Sequence, residues 1–360
     1  FGYAALRAIT TADFNVGIGT GAGDALTTGH SNVAIGYDAL GELTTGDYNI
    51  AIGTGAMNGT NAGVNSNNST HNIFMGLNAG GGDWADVASE YNVAIGNYAM
   101  DAVLNGALYN IAMGYGSLGA LTTADSNVSI GYVAGTNLTT GYSNVLIGRA
   151  AAAAATDMTN TVIIGHYAGY SINTNNSNGS VLIGMEAGTN QTGGVNTFIG
   201  YNAGRNNRAG TYNTTLGFEA GMHATASSNT FMGYQAGKGG TTSAPFSSGG
   251  NNTAVGYGAL TAFTTGGSNT AIGYQALDAN TIGADNVAIG YGALTTEDVG
   301  DRAIAIGSHA LALQNSDSNN EVSANIGVGY ASGYYNVTGI YNTYIGYYAG
   351  AGASGQSNSN

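Results

Sequence analysis

The chain has 360 residues, of which 62 are glycine, one is proline and only 7% are charged, and its net charge is −14. Glycine does not fall at every third residue, so a collagen triple helix is excluded, and an apolar content of 43% argues against disorder. The acidic balance opposes binding to nucleic-acid phosphates or to an anionic membrane.

The cysteine count and the hydropathy pattern exclude two further classes of protein. There is no cysteine, so no disulfide framework is possible. No apolar run is long enough to cross a membrane and no signal peptide is present, so membrane insertion is not predicted. The chain opens at Phe1, without methionine and already inside a repeat, so we expect it to be a segment or processed form of something longer.

One nine-residue pattern returns along the chain, and its clearest copy is Asn-Thr-Ala-Ile-Gly-Tyr-Gln-Ala-Leu at residues 269–277. The glycine of each copy is its anchor, and other positions are counted from it as −4, +1 and so on. Twenty anchors give nineteen intervals, of which eleven are 17 residues long and the others 16 to 23. The anchors are Gly2, Gly19, Gly36, Gly53, Gly76, Gly96, Gly114, Gly131, Gly148, Gly165, Gly184, Gly200, Gly217, Gly233, Gly256, Gly273, Gly290, Gly307, Gly329 and Gly346.

A fixed period this short is typical of a solenoid, in which each repeat stacks on its neighbours to bury its apolar face. The predicted fold is therefore all-β, a repetitive β-solenoid of the β-roll or β-helix type with coils of about 17 residues. We expect one continuous solenoid of about 20 coils over residues 1–351, followed by a flexible tail over residues 352–360. At one strand spacing per coil, it would form a rod of roughly 95 Å.

Each copy is predicted to contain a short strand that ends at the anchor. Position −3 is Val, Ile or Thr and position −1 is Ile, Val, Leu or Met in all nineteen complete copies, and such residues favour an extended backbone. We also expect a second, weaker strand in the regular copies, as at residues 43–46, 138–141 and 263–266. One coil would then hold two strands and two turns.

Position −4 is Asn in sixteen of the nineteen complete copies. In stacked coils these side chains are expected to form a ladder, each amide bonding to a neighbouring coil and closing the turn that enters the strand. The predicted ladder residues are Asn32, Asn49, Asn269 and Asn286, with the anchors Gly36, Gly53, Gly273 and Gly290.

Two positions vary together between copies. Where position +4 is large, as at Leu40, position −2 is Ala, and where position +4 is glycine, as at Gly204, position −2 is never Ala and is usually bulky, as at Phe198. Close-packed interiors hold total volume steady, so both side chains are expected to fill one interior space.

Neighbouring strand residues point to opposite faces, so the apolar position −1 must lie on the other face of the strand. A 17-residue coil has too little chain to cover both faces, and we therefore expect this second face to pack on another chain. The predicted assembly is a homotrimer, intertwined or side by side. A single-chain solenoid with a partly exposed second face remains the alternative.

The longer intervals carry insertions rich in Asn, Gly and Ser, which are predicted to be loops that protrude from one edge of the rod. They contain the only tryptophan, Trp84, and Phe246, which we assign as candidate surface contacts. The insertions are residues 58–72, 81–91, 238–252 and 313–325.

No catalytic, cofactor-binding or metal-binding residue is predicted, and the chain is not expected to be an enzyme. The five histidines lack metal-ligand spacing. The acidic group Glu297, Asp298 and Asp301 could hold calcium, but a solvated turn is the favoured interpretation. Asp83 and Asp86, beside Trp84, are the best carboxylate pair for a glycosidase.

The copies at residues 32–40 and 286–294, Asn-Val-Ala-Ile-Gly-Tyr-x-Ala-Leu, resemble the repeats of bacteriophage tail fibres. They are also similar to the coils in the head of trimeric autotransporter adhesins. The resemblance covers nearly the whole chain and implies a trimeric fibre on a virion or cell surface. The chain departs from the adhesins in its longer coil, and it lacks their membrane anchor and coiled-coil stalk and the chaperone domain that often ends such phage fibres.

These features favour a structural fibre shaft on a virion or cell surface, extracellular in either case. Its partners would be further copies of itself and, through the edge loops, a host receptor or surface glycan. Two alternatives stay open. One is an extracellular filament stacked end to end and glycosylated at Asn-x-Ser/Thr sites such as Asn137, and the other is a solenoid enzyme that degrades polysaccharide.

Overall fold

A computed structural model describes residues 2–60, 65–172, 177–316 and 322–352. It is all-β, a parallel β-solenoid of about 19 coils of roughly 17 residues, which confirms the predicted fold class. Helical structure in the described ranges consists of the 3-10 turn Ser66–Asn68 and the 3-10 residue Ser177. The chain divides into two units, Phe1–Ser180 and Val181–Asn360. The predicted tail, from residue 353 on, lies outside the described residues.

Nineteen three-residue strands occupy positions −3 to −1 before the anchors from Gly19 to Gly346. The strands of the first unit are β1 (Val16–Ile18), β2 (Val33–Ile35), β3 (Ile50–Ile52), β4 (Ile73–Met75), β5 (Val93–Ile95), β6 (Ile111–Met113), β7 (Val128–Ile130), β8 (Val145–Ile147) and β9 (Val162–Ile164). The strands of the second unit are β10 (Val181–Ile183), β11 (Thr197–Ile199), β12 (Thr214–Leu216), β13 (Thr230–Met232), β14 (Thr253–Val255), β15 (Thr270–Ile272), β16 (Val287–Ile289), β17 (Ile304–Ile306), β18 (Ile326–Val328) and β19 (Thr343–Ile345).

Within each unit, every strand pairs in parallel with the strand of the next coil, and equal repeat positions face each other. Ala34 pairs with Ala51, and the register survives the 23-residue interval from Gly233 to Gly256, where Thr230 pairs with Thr253. The insertions therefore add chain outside the strands without shifting the pairing. Because the register keeps identical positions in line, identical side chains stack into rows.

The interior of a coil is built from positions −2, +3, +4 and +7. In the coil anchored at Gly36 these are Ala34, Ala39, Leu40 and Leu43, all fully buried. The prediction that position −2 is interior is confirmed, and its neighbours at −3 and −1 point outward.

The volume exchange between positions −2 and +4 has a direct structural cause. A Cβ atom placed on Gly204 would lie 2.5 Å from the Phe198 ring, so these two positions share one space as predicted. The space also extends to the next coil, because a Cβ on Gly327 would lie 2.8 Å from Leu311 of the preceding coil. Where a coil has glycine at both positions −2 and +4, side chains of the neighbouring coils therefore fill its interior.

The predicted second strand is not formed. Residues 43–46, 138–141 and 263–266 are bends, although Leu43, Leu138 and Phe263 are buried as core residues. Coils stay joined here through single carbonyls: Thr44 O accepts from the backbone N–H of Thr27 at 2.9 Å and from its hydroxyl at 3.0 Å.

Left-handed backbone recurs at fixed positions of the coil. Positions −5, +2 and +4 have positive φ, as at Tyr48 (+58°), Asp38 (+49°) and Leu40 (+55°). Each such residue turns the chain sharply, so the coil changes direction at these positions. Glycine occupies position +2 or +4 in many copies, as at Gly55 and Gly204, and it marks the same left-handed backbone in the sequence.

Trp84 was predicted to be a surface contact, and that prediction is wrong. Its side chain is fully buried, and the indole Nε1 donates to Gly80 O at 2.9 Å. The ring packs edge-on against Phe74, with centroids 5.6 Å apart. The insertion at residues 81–91 thus folds back into the core instead of only protruding, because the indole finds apolar contact there.

Candidate functional site

An asparagine of the row at position −4, such as Asn49, forms hydrogen bonds with both the preceding coil and the following coil. The Asn49 N–H donates to Asn32 Oδ1 at 2.9 Å, and Asn49 Nδ2 donates to Ser69 O at 2.9 Å. Asn49 Oδ1 in turn accepts from the Asn72 N–H at 3.0 Å. The row is buried, so these amides supply the partners that buried backbone groups of the entering turn require.

The second unit has the same arrangement at Asn269 and Asn286. The Asn286 N–H donates to Asn269 Oδ1 at 3.0 Å, and Asn286 Nδ2 donates to Gly300 O at 2.8 Å. The exception Ala303 keeps its backbone part of the row, because its N–H still donates to Asn286 Oδ1 at 2.8 Å.

Asn269→Ala should lower the free energy of unfolding by about 2 kcal/mol, because it leaves the Asn286 N–H and the Gly283 carbonyl buried without these partners. Urea denaturation followed by circular dichroism measures the change. Asn97→Ala is the control, since Asn97 accepts a single exposed bond from Leu77 and should cost under about 1 kcal/mol. Equal losses in the two variants would contradict the ladder's role.

The anchor glycines stand where no side chain fits. Gly53 has φ of +133° and Gly273 has φ of +138°, a region essentially restricted to glycine. A Cβ on Gly53 would lie 2.3 Å from Gly76 O, and one on Gly273 would lie 2.3 Å from Gly290 O. The backbones of successive coils approach too closely for any other residue.

The outward face of the strands is uncharged and partly exposed, with apolar residues at position −1 and Val, Ile or Thr at position −3. We call positions −3 and −1 of β1–β19 the outer sheet face. Its side chains include Leu216, 41% exposed, Met232, 43% exposed, and Ile272, 38% exposed. None of the nineteen described strands contains a charged residue. Contiguous uncharged surfaces with exposed apolar side chains are common at sites of protein contact.

Aromatic rings at position +1 extend this face. In the second unit, neighbouring rings stack with centroids 4.8–5.2 Å apart and planes inclined by 7–17°. We call this row the aromatic ladder. Its members are Tyr201, Phe218, Tyr234, Tyr257, Tyr274 and Tyr291.

Charged side chains of the second unit pair with each other between coils. Lys238 Nζ lies 2.7 Å from Glu219 Oε2, and Arg205 Nε lies 2.9 Å from Glu186 Oε2. Burial alone raises the pKa of Glu219, but hydrogen bonds from Lys238 and Gln235 outweigh it and hold the pKa below its usual value. These acids are already matched by bases, which suits a structural role.

His223 lies beside this cluster. Burial lowers its pKa and the Lys238 charge lowers it further, so the imidazole is neutral at pH 7. Its Nδ1 lies 2.9 Å from Asn206 Nδ2, and its ring stacks on Phe246 at 5.7 Å. Phe246, the other candidate surface contact, is half-buried and also lies under the Arg208 guanidinium at 5.5 Å. Part of this ring stays accessible to a ligand.

The acidic group predicted near residue 297 is not a simple solvated turn. Glu297 is fully buried, and its carboxylate accepts bonds from the Gly300 N–H at 2.7 Å, Gln314 Nε2 at 2.8 Å and Ser316 Oγ at 3.1 Å. The carboxylate replaces an apolar residue at position +7 and closes the turn. Within the described ranges, no group of three or more His, Cys, Asp and Glu residues is placed to hold a metal ion.

The carboxylates considered for glycoside hydrolysis do not form an enclosed site. Asp83 and Asp86 are exposed on either side of the inward-pointing Trp84, so neither has the apolar enclosure that a general acid needs. Asp278, in contrast, has a pKa raised by burial, and it accepts a 2.6 Å bond from Thr295 Oγ1.

Sequence reasoning missed a pocket in the second unit with a volume of about 280 Å³. It lies on the surface of three successive coils. Its lining comes from side chains at positions +1 and +2 on one side and at positions +5 and +6 on the other. The paired tyrosines at residues 334–335 and 347–348 were the sequence signal for it. The pocket is lined by His309, Tyr330, Ala331, Tyr334, Tyr335 and Tyr348.

Comparison with known proteins gives no match: no family model, no curated protein and no solved structure matches the chain. None of the helical structure in the described ranges has the length and apolarity to cross a bilayer.

Proposed function

We propose that the chain is a structural fibre segment that works as a homotrimer on a virion or cell surface, with the outer sheet face as the contact between chains. The observation that carries this proposal is the uncharged outer sheet face, with its apolar row at position −1, extended by the aromatic ladder. Residues of this kind that stay 38–43% exposed in a single chain gain free energy when a further copy covers them.

The size of this face in the second unit suits such a contact. Its ten strands, at ~4.8 Å spacing, make a face about 48 Å long and, from position −3 to +1, roughly 13 Å wide. The resulting area of roughly 600 Å² is at the upper limit for an apolar patch on a monomer. It also approaches the ~800 Å² that each partner buries in a standard interface.

The net charge of the chain permits contact between two copies only through an uncharged part of the surface. At a net charge of −14, two copies repel each other through most of their surfaces, and the outer sheet face places no charge at the contact. The number three comes from the resemblance to phage fibres and adhesin heads.

The native mass tests this assembly. Light scattering coupled to size-exclusion chromatography, at several protein concentrations, should give a constant mass near three chains. A single-chain mass would overturn the proposal, and a mass that grows with concentration would favour the end-to-end filament.

Leu216→Lys combined with Ile272→Lys should shift the particle to a single chain, because both side chains are partly exposed and would meet like charges at the contact. Ser243→Lys is the matched control, since it adds a cation to an exposed loop of the same unit. An unchanged mass in the double variant would show that this face is not the contact.

Adhesion through the loops is the second part of the proposal. The accessible edge of Phe246, with Arg208 beside it, is the contact that we propose for a receptor or surface glycan. Trp84 is excluded from this role by its burial.

A further inference from the structure

The tyrosine-lined pocket of the second unit differs from the aromatic ladder in the orientation of its rings. Tyr330 and Tyr348 lie 5.4 Å apart at 65°, and Tyr334 and Tyr335 lie 4.8 Å apart at 78°. His309 lies 6.1 Å from Tyr334 at 49°. The tyrosine pairs pack edge to face and line the pocket, whereas the ladder rings stack face to face.

The electrostatics of the pocket favour a cation. Aromatic faces carry the negative side of the ring quadrupole, which attracts a cation within about 6 Å of the ring centre. No lysine or arginine lines the pocket, and the chain carries a net charge of −14. A positive ligand therefore meets no like charge in the lining.

Rings on the surface of the first unit hold a cation of the chain itself. There the Arg149 guanidinium lies 5.9 Å from the centre of the Tyr132 ring and 5.6 Å from that of Tyr167. These residues line a pocket of about 250 Å³. Tyr348 is at the same repeat position as Tyr167, but Tyr330 stands where the first unit has Arg149. The pocket of the second unit therefore has a ring in place of the internal cation.

We propose that the pocket formed by His309, Tyr330, Tyr334, Tyr335 and Tyr348 binds a quaternary ammonium cation. No carboxylate lines it, so a primary ammonium would leave its N–H donors without a charged acceptor, whereas a quaternary ammonium has no N–H to satisfy. The volume of about 280 Å³ is near the lower limit for small-molecule sites, which suits a headgroup.

Choline chloride is the probe, and isothermal titration calorimetry on the full chain measures its binding. Choline should bind at least about tenfold more tightly than 3,3-dimethylbutan-1-ol, its neutral isostere, because only the cation gains the interaction with the rings. Equal affinity of the two compounds, or no binding of choline, would overturn the proposal. This comparison uses the unaltered protein, so it does not depend on how any variant folds.

Variants locate the site. Tyr334→Ala should weaken choline binding by about fivefold or more, and Tyr334→Phe, which keeps the ring face, should retain it. Tyr212→Ala removes an exposed ring of the same unit that lies outside the pocket, the aromatic ladder and the outer sheet face, and it should leave binding unchanged. A loss with Tyr212→Ala and none with Tyr334→Ala would refute the assignment to this pocket. Sedimentation with phosphatidylcholine vesicles, compared with free choline, then separates a lipid headgroup from a soluble ligand.

Discussion

Gly273→Ala should lower the free energy of unfolding by about 2–6 kcal/mol, because it combines backbone strain with a steric clash between coils. At φ of +138°, any residue with a Cβ is strained, which costs about 1–3 kcal/mol. The new Cβ would also lie 2.3 Å from Gly290 O of the next coil, and relief of such overpacking typically costs a further ~1–3 kcal/mol. Urea denaturation followed by circular dichroism measures the loss.

Gly346→Ala separates strain from contact. Gly346 has a similar φ of +125°, but its Cβ would meet only Ala349 Cβ, at 3.8 Å. This variant should show the strain alone, about 1–3 kcal/mol. Equal losses at Gly273 and Gly346 would mean that close approach between coils does not restrict the anchor position.

Phe198→Ala should destabilise the chain by about 3–5 kcal/mol, because it empties a fully buried ring site. The ring packs against the backbone of its own coil at Gly204 and, as a Cβ on Gly188 would lie 3.2 Å from it, against the preceding coil too. Neither glycine can supply side-chain atoms to the cavity. The urea midpoint of the variant reports the loss.

Adding Gly204→Leu to Phe198→Ala should recover part of the stability, since it recreates the Ala and Leu pair of coils such as Ala34 and Leu40. The left-handed φ of +57° at Gly204 matches +55° at Leu40, so leucine is sterically acceptable there at a strain of about 1–2 kcal/mol. Gly204→Leu alone should destabilise, because its Cβ would lie 2.5 Å from the Phe198 ring.

The matched control is Gly116→Leu in the Phe198→Ala background. Gly116 has φ of +60°, and its Cβ would approach no atom closer than 3.5 Å. This control carries the left-handed strain without contacting the cavity and should recover nothing. Recovery with Gly116→Leu, or none with Gly204→Leu, would show that the two positions do not share a space.

The anchor period predicted the strands because it is imposed by contacts between equal positions of successive coils. Ala34 at position −2 is interior, as the exchange with Leu40 at position +4 predicted, since both side chains are constrained by one volume. The role of asparagine at position −4 could also be predicted from the sequence, because the buried backbone of successive coils needs the same hydrogen-bond partner.

Features that depend on the backbone alone could not be read from the sequence. The left-handed φ at Tyr48 is held by the surrounding coil, against the intrinsic preference of that residue. The burial of Trp84 was predicted wrongly because an insertion has no repeat period. The direction in which the insertion folds is set by the tertiary contact between Trp84 and Phe74.

The candidate sites were less predictable than the fold. The stacking of Tyr257 on Tyr274 follows from the period, whereas the pocket depends on how rings at different positions, such as Tyr334 and Tyr335, incline toward each other. The repeat period shows that the same repeat position lies in line in successive coils. It does not show which different repeat positions contact each other.

The parallel register also determines how each unit responds to a pulling force. Hydrogen bonds between strands, such as those that pair Ala34 with Ala51, point along the direction in which coils stack. Tension on a chain end therefore opens a few bonds at a time, as in a zipper, and does not load all of them together in shear. Each 17-residue coil that detaches releases about 58 Å of extended chain, so a unit yields stepwise and absorbs mechanical work over a long extension.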